Sequence, residues 1–189
     1  MEKLLSFIRS LTSFSDEAWL TLQPALKSLS FDKNEFLLRE GEVCSSLFFI
    51  EEGFCRSYYD KDGVDKNTGF FFENEIVTNV SSFGEQKPST YFIRACEPMT
   101  VVAFDRTRLM EVSAVVQEVA ELGRHCVRKF ASRQQEYADL FQLYAPSDRY
   151  RYLEEKHPQL LQRVSLLQLS SFLGIARETL SRIRSRRTL

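Results

Sequence analysis

The sequence predicts an α+β chain: an N-terminal antiparallel β-roll (a jelly roll) with flanking helices, a long helix, and an all-α helix-turn-helix at the C-terminal end. Three observations carry that reading. Between Leu29 and Asp105 the apolar period is 2, in short runs separated by turn residues. From Leu109 the period returns to 3.6 and holds for about 25–30 residues, long for a globular helix. From Val164 to Arg187 the chain reads VSLLQLSSFLGIARETLSRIRSRR, two short amphipathic helices around Gly174. The expected division is 1–108 for helices and roll, 109–144 for the long helix and 145–189 for the helical end.

With 189 residues and 43% hydrophobic content, the chain can bury one large core or two small ones. Sixteen Phe and seven Tyr favour an all-β part. No run approaches the roughly 18 apolar residues of a membrane span. The N-terminus MEKLLSFIRSL breaks its apolar residues with charge, unlike a signal peptide. A cytoplasmic protein with no membrane partner is expected. Cys44, Cys55, Cys96 and Cys126 show no CxxC or Cys/His ligand spacing, and the only His are His125 and His157. Neither a disulfide scaffold nor a metal site is expected, and the thiols read as small buried hydrophobes.

Residues 1–27 read as helical. Leu4, Leu5, Ile8 and Leu11 form one stripe, and Ala18, Trp19, Leu22 and Leu26 a second. Ser15 is placed to cap the second helix and Pro24 to shorten it. The runs SLSF, EFLLRE, SLFFIEE, FCRSYYD, TGFFFEN, TYFIRA and TVVAFD then predict strands over about 28–106. Asp62-Gly63 is the strongest hairpin signal among the turns between them. In the long helix, Val112, Val116, Val119, Cys126, Phe130, Tyr137 and Phe141 share one broad face, flanked by Val127, Ala131 and Leu140. A face that wide needs two surfaces to bury it: the roll, and most economically a second copy of the same helix. A single helix packed only on the roll is the alternative. Tyr144–Pro146 should end this helix and act as a hinge, with Ser147 capping DRYRYLEEKH and Pro158 closing it.

The C-terminal stretch is read residue by residue. Ser165 with Gln168 is a capping box, so a helix starts at Leu166. Leu166, Leu169 and Leu173, with Phe172 beside them, form its buried stripe. Gly174 allows the sharp turn, Ile175 plugs the angle, and Leu180 and Ile183 bury the second helix. Arg177, Glu178, Ser181 and Arg182 are left facing outward, where a helix-turn-helix meets base edges. Arg pairs bidentately with guanine and Glu accepts from cytosine. The bland alternative is a small helical end whose arginines are merely solvated. Charge placement favours DNA: Arg177–Leu189 hold five Arg against one Glu, while the other 176 residues hold 20 basic and 25 acidic side chains.

This order of parts resembles the Crp/Fnr transcription regulators. Ala176-Arg177-Glu178-Thr179-Leu180-Ser181-Arg182 is similar to the start of that family's recognition helix, (S/T)-R-E-T-(V/L)-(G/S)-R. Glu40-Gly41-Glu42 and Leu47-Phe48-Phe49-Ile50-Glu51-Glu52-Gly53 are similar to a turn and a strand of its roll. The resemblance implies a homodimer joined through the long helix, double-stranded DNA and RNA polymerase as partners, and an effector in the roll. Base reading then falls to Arg177, Glu178 and Arg182. Ser165 would touch a phosphate, with Thr179, Ser181, Arg184 and Arg186 completing the DNA-facing set.

Two departures limit what the resemblance implies. The family's cyclic-nucleotide cassette, G-E-x-(A/L) and then R-(S/T)-A, corresponds here to Val77-Thr78-Asn79-Val80 and Pro88-Ser89-Thr90. Thr78 stands at the Glu position and Pro88 at the Arg position, so the phosphate would lack a bidentate partner; Lys87 is not an equivalent donor. No response to cyclic AMP is expected. No cofactor is expected either: an N-terminal Cys cluster is missing, and His125 stands alone on the long helix. At the DNA end, Ala176 replaces the usual Ser/Thr cap and no strands follow the second helix. A minimal unit is expected, with Arg184, Arg186 and Arg187 holding phosphates. Any effector should meet Thr78, Asn79, Ser89, Thr90 and Tyr91 from the roll and Arg124, Gln134 and Gln135 from the helix. The run Phe70-Phe71-Phe72 points instead to a filled, ligand-free roll. The competing reading is a small-ligand sensor or ligand-free scaffold acting through protein contacts. An enzyme is not expected, since no paired carboxylates, Ser/His/Asp set or phosphate loop stands out.

Overall fold

A computed structural model gives the structure, and it describes residues 1–185. Helix α1 (Glu2–Leu11) buries Leu4 and Ile8, and α2 (Asp16–Leu22) buries Ala18, Trp19 and Leu22. Ser15 caps α2 by accepting from the Ala18 amide. Pro24 falls in a 3-10 turn, and Leu26 opens β1 (Leu26–Phe31) instead of ending a helix. The strand β2 (Phe36–Leu38) follows, then β3 (Ser46–Glu52), β4 (Cys55–Lys61), β5 (Val64–Phe71) and the two-residue β6 (Ile76–Val77). After α3 (Val80–Glu85) come β7 (Phe92–Ala95) and β8 (Met99–Asp105). The expected strand runs are all present. The short β6 and α3 carried too few residues for either period to register.

The strands form two four-stranded sheets, in the orders β1-β8-β3-β6 and β2-β7-β4-β5. In the first, β1 lies antiparallel to β8 from Leu26 opposite Phe104 to Phe31 opposite Met99, and β3 flanks β8 on its other side. Phe49, Ile50, Phe70, Ile93, Val101, Val102 and Phe104 are each at most 2% exposed; the adjacent pairs Phe49-Ile50 and Val101-Val102 point to opposite faces, so β3 and β8 are covered on both. Gly53, at φ +83°, ends β3 where a Cβ would lie 2.5 Å from that of Met99, so only glycine fits that corner. Asp62 and Gly63 take φ of 55° and 79°, the type I′ geometry their hairpin requires.

The long helix is the main correction. Helix α4 (Arg106–Val115) is separate from α5 (Gln117–Leu143), because Val116 is extended at φ −109°, ψ 105°. Val112, Val116 and Val119 are spaced as on one helix, so the period ran through a break that it could not register. Just past the bend, Glu118 accepts from the Ser15 amide at 3.0 Å and from its hydroxyl at 2.8 Å. Within α5, Val119, Leu122 and Cys126 are buried in the first half, and Tyr137 and Leu140 in the second. Val127 and Ala131, expected beside the buried face, are exposed.

Beyond α5 lie α6 (Pro146–Lys156), α7 (Pro158–Arg163), α8 (Leu166–Leu173) and α9 (Arg177–Ser185). Ser147 does not cap α6. Pro146 takes the first helical position, which moves the cap back to Ala145, with no side-chain bond. Pro158 closes α6 as expected and also opens α7. The chain falls into two compact units: residues 1–57 with 70–129, and residues 58–69 with those from 130 onward.

Candidate nucleic-acid interface and effector region

In the second unit, the Ser165 hydroxyl accepts from the Gln168 amide at 3.2 Å and donates to the Gln168 side-chain oxygen at 3.0 Å. It therefore starts α8 as expected. Leu169, Phe172 and Leu173 are buried along one side, and Leu166 is half-buried. Gly174, at φ 68°, ends the helix: its amide bonds the Ser171 carbonyl at 3.3 Å, and the Ile175 amide bonds that of Ser170 at 3.1 Å. No atom lies within 4 Å of where its Cβ would be, so the left-handed φ alone calls for glycine. Helix α9 then buries Leu180 completely and Ile183 in part. Arg177, Glu178, Thr179, Ser181, Arg182 and Arg184 are exposed, and so is Ser165. Glu178 in the first turn and Arg182 and Arg184 in the last complement the helix dipole. Arg186 lies outside the described residues, as does Arg187.

Three contacts around this motif escaped the sequence. The first is a hairpin clamp. Ser171 Oγ accepts from the Asn67 amide at 3.1 Å and donates to the Asp65 carbonyl at 2.7 Å, while Asn67 Nδ2 donates to the Gln168 carbonyl at 3.2 Å. Strand β5 is a sheet edge, and α8 covers part of its polar rim. The second is a polar knot between α5 and the α6–α7 junction. Glu136 Oε1 accepts from the Tyr152 hydroxyl at 2.7 Å and lies 2.8 Å from His157 Nε2. Burial pushes the Glu136 carboxyl up, but the bonds from Tyr152 and His157 outweigh it and leave the group below its ordinary value. Burial and the same carboxylate push the Tyr152 phenol up to about 12. The third contact is Arg149, which binds the Phe141 and Tyr144 carbonyls at the bend after α5 and the Leu173 carbonyl at the end of α8. A lone Ser, Asn, Glu or Arg in an amphipathic segment carries no periodic signal, so its partners, from 5 to 106 residues away in the chain, could not be read.

In the first unit, the expected roll residues do gather, but around one another. Thr78 is 4% exposed and donates to the Ser46 carbonyl at 3.1 Å. Asn79 caps α3, accepting from the Ser82 amide at 3.1 Å, and donates to Ser89 Oγ at 2.9 Å. Ser89 Oγ donates to the Tyr91 carbonyl at 2.6 Å, and the Tyr91 hydroxyl reaches the Thr78 carbonyl at 3.4 Å. Thr90 is exposed. Pro88 lies in a β-bridge with Val43, and Lys87 pairs with Glu85 at 2.7 Å on the surface. These gathered side chains carry no charge, and no buried side-chain polar atom among the described residues lacks a partner. They do not fit a cyclic phosphate. Phe70 and Phe72 fill the interior as expected, Phe72 stacking on Phe54 at 5.2 Å.

The three helix residues expected to line an effector site are all exposed. Arg124 is exposed and pairs with Glu121 at 3.7 Å. Gln134 and Gln135 are exposed too, and Gln135 donates to Asp139 at 2.7 Å. Their expected place came from the family resemblance alone, and no local pattern of the helix supported it. The cysteines are free thiols; Cys44, Cys55 and Cys126 are buried, and burial pushes Cys96 and Cys126 up to about 11, far from a reactive thiolate. Among the described residues no cluster of His, Cys, Asp or Glu is placed to hold a metal, and no helix is long and apolar enough to cross a membrane.

Residues 28–114 match the cyclic nucleotide-binding domain family. No curated protein matches the chain in sequence. Among solved structures, FixK2 from Bradyrhizobium japonicum is similar at a TM-score of 0.72, with 19% identity over 85% of this chain and 83% of its own. CLP, the c-di-GMP responsive global regulator of Xanthomonas campestris, is similar at 0.71, with 17% identity over 92% of each chain. The catabolite activator protein of Thermus thermophilus gives 0.58, with 14% identity over 93% of this chain and 84% of its own. The chain therefore shares the fold of these proteins, and its roll is of the cyclic-nucleotide-binding type.

Proposed function

We propose that this chain is a homodimeric, sequence-specific DNA-binding transcription regulator of the Crp/Fnr type, cytoplasmic, and not responsive to cyclic AMP. One observation carries the proposal. Helix α9 buries Leu180 while Arg177, Glu178, Ser181 and Arg182 stand exposed on a helix entered through a glycine turn. Arg177 and Arg182 pair with guanine edges and Glu178 accepts from cytosine, while Thr179, Ser181 and Arg184 bind phosphate or sugar. Ser165, at the N-terminus of α8, meets a phosphate where unpaired amides and the helix dipole favour negative charge.

Dimerisation is supported along α5. Gly123, Val127, Ala131 and Gln134 follow one another at helical spacing and are all exposed, Val127 by 58%. Three of the four are small or apolar, as a second copy of the helix requires. Two recognition helices about one DNA turn apart, ~34 Å, then read a two-fold site. RNA polymerase is the onward partner of such a regulator. A regulatory role, not an enzymatic one, follows from this reading.

The roll favours a second element. The closed network of Thr78, Asn79, Ser89 and Tyr91 suits a scaffold acting through protein contacts, or an effector other than a cyclic nucleotide, better than cyclic AMP. Selection of bound duplexes from a random pool tests the reading: a palindromic site is expected, and Arg182→Ala should lose preference for it while keeping weak, salt-sensitive binding. Equal affinity for all duplexes at physiological salt would refute it. Calorimetry with cyclic AMP should give no heat of binding.

A further inference from the structure

Arg149 sits in the first turn of α6, and all three of its guanidinium nitrogens donate to main-chain carbonyls. Nε bonds Tyr144 O at 2.9 Å, Nη2 bonds Phe141 O at 2.9 Å and Nη1 bonds Leu173 O at 3.1 Å. Phe141 belongs to the last turn of α5, Tyr144 to the connector, and Leu173 is the last residue of α8. Carbonyls at helix C-termini lack intrahelical partners and carry the negative end of the helix dipole. One planar cation thus closes the C-terminal ends of α5 and α8 and the bend that follows α5. Its face also lies 5.2 Å from the Phe141 ring centre.

An apolar contact runs beside this clip. The Phe172 ring, 3% exposed, stands edge-on to Tyr137 at 5.3 Å and to Phe141 at 5.7 Å. Consecutive residues of α8, Phe172 and Leu173, are therefore tied to the end of α5, one by its ring and one by its carbonyl. Gly174 follows at once, and α9 begins three residues later. The bend at Tyr144–Pro146 is braced at the point from which α9 is launched.

We propose that Arg149 is a positioning residue for DNA recognition: it fixes the α8–α9 turn against the end of the long helix and so sets the spacing at which two recognition helices meet DNA. The proposal rests on the DNA-binding reading above. Arg149 need touch neither base nor phosphate. Half-site spacing is a geometric output of the dimer, and it is sharp only if each recognition helix is held rigidly to the dimerising one. Phe172 alone supplies a non-directional contact that tolerates rocking, whereas three bonds from one rigid fork do not. A lysine ammonium, a point donor, cannot reproduce that planar set.

The test uses the full chain and the half-site selected by wild-type protein. Duplexes carry that half-site once, twice at the selected spacing, and twice with the spacing changed by a few base pairs. Affinity is read by fluorescence anisotropy at one salt concentration for wild type, Arg149→Met and Arg149→Lys. Arg149→Met keeps the apolar stem and removes the donors. Its affinity for the best-spaced duplex should fall about tenfold, while its ratio of best-spaced to mis-spaced affinity collapses towards one. Base preference on the single half-site should stay as in wild type. Arg149→Lys should also lose spacing discrimination, and it carries the test if circular dichroism shows that the Met variant is unfolded. A purely structural role would lower the active fraction and weaken all duplexes alike; an unchanged spacing ratio in a folded variant overturns the proposal. If wild-type protein selects no site at all, the DNA-binding reading itself has failed, a result distinct from either variant outcome.

Discussion

Replacing Leu180 by Ala tests whether α9 is held to its motif by a single buried anchor. Leu180 is fully buried, while its neighbours Thr179 and Ser181 are exposed and Ile183 is only half-buried. The change removes three carbons; at about 0.8 kcal/mol each, lost transfer energy comes to roughly 2.4 kcal/mol. The cavity left behind raises the expected cost to about 2–5 kcal/mol. A helix of nine residues has little stability of its own in water. The loss should therefore appear as local opening of α9, about thirtyfold more frequent at the lower end of that range. Amide hydrogen exchange resolved by peptide would show faster exchange across 177–185 and unchanged exchange in β3 and β8. Specific DNA binding should fall with it, although Leu180 faces no base. Wild-type exchange across 177–185 would refute the argument that Leu180 is the anchor.

Ser165→Ala removes the hydroxyl that caps α8 and should cost about 1 kcal/mol, visible as a lower thermal midpoint of the helical end, with Ser165→Asp retaining most of the stability. Ser171→Ala takes away the hydroxyl shared by the Asn67 amide and the Asp65 carbonyl; about 1–3 kcal/mol of local stability should be lost, read as faster exchange at 64–68. If exchange there is unchanged, the hairpin clamp is not a stabilising contact. Glu136 titrates below its ordinary value in the folded chain, so its ionised form stabilises the fold above the ordinary carboxylate range, and that contribution disappears as pH falls through the depressed folded value. Wild type should melt higher than Glu136→Gln at neutral pH, the gap closing below about pH 4; a gap that persists in acid would contradict the assignment.

Legibility varied with the kind of signal. Strands β3, β4 and β8 were visible as short apolar and aromatic runs bounded by turn residues, a local signal, and the Asp62-Gly63 turn because few pairs accept positive φ at both positions. The helix-turn-helix was visible for the same local reasons: Ser165 caps, Gly174 breaks, and Leu180 is apolar among polar neighbours. The break at Val116 was not visible. Val112, Val116 and Val119 keep helical spacing across it, and the Ser15–Glu118 bond that anchors the far side joins residues 103 apart in the chain. Ser147 looked like a cap until Pro146 claimed the first helical position.

The effector region divides in the same way. Pro88 at the place of the phosphate-binding Arg was enough, in the sequence, to argue against a cyclic phosphate. Only the tertiary structure decided that Asn79, Ser89 and Tyr91 satisfy one another, and that Arg124, Gln134 and Gln135 face solvent. The sequence by itself determined element types, the turn chemistry and the outward set Arg177, Glu178, Ser181 and Arg182, because these follow from backbone preference and local period. The structure decided what Arg149, Ser171 and Glu136 do. Their roles are hydrogen bonds to groups that chain folding brings near, and no local pattern encodes which carbonyl or carboxylate will be waiting there.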